Sequence, residues 1–148
     1  MHFVIGGAYN GKREWVKNKL ITDAISADSI QFRKSVVERA SCKDVQVIIW
    51  TGIEKWIEEK CVQGLSEATI LEQWKRELTD LAHWEKGSNQ RQVIIIGTDQ
   101  SKGIVPLDRM KRFVRDVSGW CHQFTAKKAS RVTRVWYGIA EELKNEED

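Results

Sequence analysis

A chain of 148 residues, 41% hydrophobic and 30% charged, with one proline, is long enough for one domain with a real core. Its 24 lysines and arginines against 21 acids leave a formal charge of +3, spread along the chain without a basic stripe or arm, which excludes a typical nucleic-acid binder. No apolar run approaches the roughly 18 residues of a membrane span, and the short apolar start reads as no signal peptide.

Residues 1–5 are apolar and predict a first strand. A glycine loop follows, and residues 12–25 carry a helical pattern. Residues 45–50 and 93–97 are β-branched and apolar almost throughout, as buried parallel strands are. Between them, residues 52–61 and 66–86 read as helices, the second repeating Ile70, Leu71, Trp74, Leu78 and Leu81 at helical spacing. Residues 106–128 predict a fourth helix with Pro106 in its first turn. Residues 132–137 predict a fourth strand, and the acidic tail, 141–148, is expected to fray. Alternating strands and helices predict an α/β fold with three layers, a mostly parallel sheet flanked by helices, in one domain over 1–148.

Cys42, Cys61 and Cys121 are odd in number and form no CxxC pair. They argue against a disulfide framework or zinc site and favour the reducing cytoplasm, each as a small buried residue. Seven tryptophans are many for this length and predict core and subunit-interface packing, hence a homo-oligomer.

The chemistry sits in Gly6-Gly7-Ala8-Tyr9-Asn10-Gly11-Lys12-Arg13. The spacing Gly6-x4-Gly11-Lys12, between a strand and a helix, matches a P-loop as far as the lysine. Glycines let backbone N–H groups approach phosphate oxygens, and the helix N-terminus adds donors and a positive dipole end. Lys12 then reaches the terminal phosphates as a point charge. The next position should offer a hydroxyl to Mg²⁺ but holds Arg13, which either contacts phosphate or faces solvent. Asp99 follows a buried strand at the sheet end where ligands bind, and is read either as the catalytic carboxylate and metal ligand or as a helix or turn cap. Thr51, at another strand end, is a second candidate contact for a metal-bound water.

A second stretch, Val93-Ile94-Ile95-Ile96-Gly97-Thr98-Asp99-Gln100-Ser101-Lys102-Gly103-Ile104-Val105-Pro106, leads to Arg115-Asp116-Val117-Ser118-Gly119 and then to Val135-Trp136-Tyr137-Gly138-Ile139. With Gly6-Gly7-Ala8 and Gly11-Lys12, it resembles the bifunctional adenosylcobinamide kinase / adenosylcobinamide-phosphate guanylyltransferase family. The resemblance implies a P-loop NTPase-like fold, GTP or ATP with Mg²⁺, a corrinoid substrate (adenosylcobinamide) and oligomers. This sequence departs from the pattern in four ways. Residues 21–43 are short where the family carries its guanylyl-accepting histidine, and no histidine lies between His2 and His83. The acid that ends the family's second strand gives way to Trp50-Thr51-Gly52-Ile53. Asp99 stands in place of a glutamate, and His122-Gln123 in place of Asn-Gln. Guanylyl transfer is therefore expected to be lost. The alternatives are a kinase and a binding or interaction relative without catalysis.

Overall fold

Strands that are apolar on both faces need cover on both sides, and the sheet receives it. The computed structural model describes residues 1–7, 11–20, 30–33, 45–99 and 108–146. The chain runs β1 (His2–Gly6), α1 (Lys12–Lys19), β2 (Ile30–Arg33), β3 (Val47–Trp50) and α2 (Ile53–Val62). It continues through α3 (Glu67–Lys86), β4 (Gln92–Thr98), α4 (Arg109–Lys128), β5 (Arg131–Trp136) and β6 (Ile139–Asn145). These strands form a six-stranded sheet in the order β2-β3-β4-β1-β5-β6, parallel except where β6 pairs with β5.

Alternate residues of each strand go to opposite faces. Phe3, Ile48, Trp50, Val93, Ile95 and Val132 pack with α2, α3 and α4. Val4, Val47, Ile49, Ile94, Ile96 and Val135 pack on the other face with Val16 and Trp15 of α1. Crossover handedness explains the split. From β1 to β2 the chain moves one way along the sheet, whereas β3 to β4 and β4 to β5 move the other way. Right-handed crossovers then require α1 on one face and α2–α4 on the other. The result is the expected α/β, P-loop NTPase-like layering of helices around a mostly parallel sheet.

On the thicker side Trp74 is the hub. Its ring meets Trp50 at 4.9 Å and Trp56 at 5.6 Å between centroids, and its Nε1 donates to Thr125 Oγ1 at 2.9 Å. All three tryptophans are buried, so part of the tryptophan surplus is core. Cys61 and Cys121 are buried and free, and burial pushes both thiols up, Cys121 to about 12. Cys42 lies outside the described residues.

Four of the six strands fall where the sequence predicts them, within two residues at each end. β2 lies inside the stretch read as a short connection, being only four residues long. β6 corrects the expected fraying of residues 141–145: they form an antiparallel edge strand, and only residues 147 and 148 lie outside the described part of the tail. Its exposed charges suit an edge. Arg131 pairs with Glu142, and Lys144 Nζ donates to the Ala126 and Lys127 carbonyls at the end of α4. The fourth helix also begins later than predicted. Asp108, extended, caps it before Arg109 and accepts from the N–H groups of Met110 and Lys111. Pro106 lies outside the described residues, as does the predicted helix beyond Leu20.

Candidate functional site

β1 lies between β4 and β5 and ends at Gly6, so the glycine loop leaves the carboxyl end of a central strand. That is where open α/β sheets present their sites. Gly6 has no room for a side chain, because a Cβ would overlap the Val135 carbonyl oxygen of β5. Gly11 precedes α1 with φ 83°, the left-handed conformation that favours glycine. Ala8, Tyr9 and Asn10 lie outside the described residues.

Lys12, the first residue of α1, turns its ammonium inward and is buried. Nζ donates to the carbonyls of Gly6 (3.1 Å) and Gly7 (2.8 Å) and to Thr98 Oγ1 (3.2 Å). These three acceptors match its three donors. Burial pulls its pKa below the ordinary lysine value, while the fields of Glu54 and Asp99 pull it back up. An anion brought to this ammonium would favour its charged form.

β3 ends without an acid, and Glu54 stands on the first turn of the helix that follows. Trp50 ends β3 with its ring in the core, and Gly52 (φ 78°) then turns the chain into α2. Glu54 occupies the first turn of α2, where the helix dipole favours an acid. Its Oε1 accepts from the Thr98 N–H at 2.6 Å and from His122 Nε2 at 3.1 Å. Burial pushes the Glu54 carboxyl up, but the hydrogen bonds from His122 and Thr98 outweigh it and hold the group below its usual value. His122 comes from the middle of α4 and stacks obliquely near Phe3, 5.8 Å between ring centroids. Gly97 makes room for both rings, since a Cβ there would crowd Phe3 at 3.1 Å and His122 at 3.2 Å.

Asp99 follows β4, and its N–H donates to the Gly6 carbonyl at 2.9 Å, tying the β4 end to the loop. Lys12, Asp99 and the described loop glycines thus lie together at the carboxyl end of β1 and β4. Thr51 is half-buried at the β3–α2 junction, and its hydroxyl makes no hydrogen bond to this cluster among the described residues. Arg13 is exposed on the first turn of α1. Glu54, Thr98 and His122 are absent from the sequence-based set. His122 shares a buried face with Val117, Ser118, Cys121 and Thr125, and that spacing was its available signal.

Fold and site together define an α/β protein with a strand–glycine loop–helix unit and a lysine set among carboxylates at the sheet's carboxyl end. The chain belongs to the cobinamide kinase / cobinamide phosphate guanyltransferase (CobU) family, which matches residues 27–143, a range that begins after the glycine loop. A 54-residue stretch, 36% of this chain, is 35% identical to the bifunctional adenosylcobalamin biosynthesis protein CobP of Pseudomonas aeruginosa. That stretch spans 31% of the relative's length. No helix among the described residues is long and apolar enough to cross a membrane.

Proposed function

We propose that the chain binds a nucleoside triphosphate, GTP or ATP, with its phosphates in the loop from Gly6 to Arg13. The observation that carries this reading is the buried Lys12 ammonium, which faces the loop from the first turn of α1 and feels two carboxylates across the β4 end. Loop N–H groups and the α1 N-terminus would attract the phosphates, and Lys12 would exchange carbonyl acceptors for phosphate oxygens.

Mg²⁺ prefers hard oxygens and keeps several waters, usually taking one or two carboxylates besides phosphate oxygens. Glu54 and Asp99 fit that demand. Among the described residues no three His, Cys, Asp or Glu side chains cluster to cage an ion, so the fit is to an ion that arrives with the nucleotide. The two carboxylates would hold it, with Thr51 as an outer contact through water. Once bound, the ion would neutralise phosphate charge. The chain's own part is to orient the phosphates and to keep Lys12 on the transferring group.

Family membership supports transfer of the terminal phosphoryl group to a hydroxyl of a cobinamide-type corrinoid. Guanylyl transfer is left out of the proposal. His2 is buried against Thr133 and His122 is tied to Glu54, and no histidine lies between residues 2 and 83. A second reading, a binding protein without phosphoryl transfer, is favoured by Arg13, which replaces a metal-binding hydroxyl.

Thermal unfolding with and without Mg–GTP or Mg–ATP tests the first step. Ligand at a hundred times its Kd adds about 2.7 kcal/mol, raising Tm by roughly 5–10 °C. No shift at millimolar nucleotide contradicts the reading. Labelled γ-phosphate appearing on cobinamide selects the kinase, and binding without transfer selects the second reading. A GMP-labelled protein band on a denaturing gel would contradict the loss of guanylyl transfer.

A further inference from the structure

Tyr137 and Gly138 form a two-residue hairpin loop between β5 and β6, closed by the pair Trp136–Ile139. Both residues have positive φ, 49° and 75°, the pattern of a type I′ turn. Such turns favour Asn-Gly, and a bulky residue at the first position is an outlier. Tyr137 takes that conformation while 83% exposed, so burial in this chain does not compensate for it. Strain kept at an exposed aromatic residue points to a use for the ring.

The hairpin also lies against the loop. A Cβ on Gly11 would meet Gly138 Cα at 3.4 Å, and one on Gly6 would overlap the Val135 carbonyl. The Trp136 ring lies 6.5 Å from Tyr137 and carries the Arg134 guanidinium 4.2 Å over its face, which braces the stem of the hairpin. Glu54, Thr98 and Asp99 approach the loop from the β4 side, whereas the hairpin approaches from the β5 side.

We infer that Tyr137 is a stacking platform for the nucleobase of the bound nucleoside triphosphate. The inference rests on the nucleotide reading above. With metal and terminal phosphate held on the β4 side, a nucleotide crossing the loop must leave its nucleoside over β5, where the hairpin tip stands. An aromatic face there offers stacking that is tolerant of base identity.

Calorimetry with Mg–GTP, Mg–ATP and Mg–tripolyphosphate on wild type, Tyr137→Asn and Tyr137→Phe tests this. Asn suits the turn and keeps the hairpin folded. Tyr137→Asn should bind both nucleotides about tenfold more weakly and tripolyphosphate as wild type does, and Tyr137→Phe should restore nucleotide binding. Three results would overturn the inference alone. They are wild-type nucleotide affinity in Tyr137→Asn, equal weakening of tripolyphosphate, and a change only in sedimenting mass, which would make the tip a contact between copies of the chain. Wild type that binds tripolyphosphate but neither nucleotide, or none of the three, overturns the nucleotide reading and this inference with it.

Discussion

Glu54 carries two partly buried hydrogen bonds through one oxygen, so its charge matters to stability as well as to any ligand. Its carboxyl is held below the usual value, and it therefore contributes stability above its unfolded pKa that is lost as pH falls through the folded one. Glu54→Gln keeps an acceptor for the Thr98 N–H but removes the charge facing His122. It should lose about 1–3 kcal/mol in urea unfolding at neutral pH, and less as the pH is lowered toward 3; a constant loss across that range would contradict the assignment. His2 adds to the acid sensitivity. Burial, helped by Arg131 and the N-terminal ammonium, lowers its pKa to about 4 from 6.5. Between those values the unfolded chain binds more protons, so stability should fall by up to about 3 kcal/mol as pH drops from 6.5 to 4. His2→Gln should flatten that slope, and an unchanged slope would place the titration elsewhere. Lys12 and Asp99 were legible in the sequence because each occupies a fixed offset from a strand end. Glu54 was not, because an acid was sought along the strand and Glu54 stands on the next helix.

Helix ends here are set by local chemistry more than by apolar spacing. Ser66 caps α3 by accepting from the Thr69 N–H. Asp108 caps α4 through two N–H groups. Asp108→Ala should lower stability by about 1 kcal/mol, read as a shifted urea midpoint with an unchanged slope. A shift within 0.2 kcal/mol, by order of magnitude, would mean that the cap adds nothing. Apolar spacing made α3 and the central strands readable, because burial on both faces leaves runs with few polar residues. It could not reveal β6, whose residues are mostly exposed and do not alternate between apolar and polar. There the register comes from pairing with β5, a tertiary fact with little local signature.

At the scale of the molecule, sheet order turns scattered residues into one site. β1 stands between β4 and β5, so a loop near the N-terminus meets the end of β4, with Glu54 of α2 beyond it, on one side and the β5–β6 hairpin on the other. Alternation of strands and helices predicted the layering, but strand order is set by crossovers that spacing along the chain does not encode. We propose that this assembled end binds the phosphates of a nucleoside triphosphate through Lys12. Titration calorimetry of Mg–GTP and Mg–ATP into wild type and Lys12→Ala tests it most directly. Wild type should bind saturably, and binding should weaken at least about tenfold in Lys12→Ala, the scale of one charge-assisted contact. Equal binding by both proteins, or none by wild type at millimolar nucleotide, would contradict it.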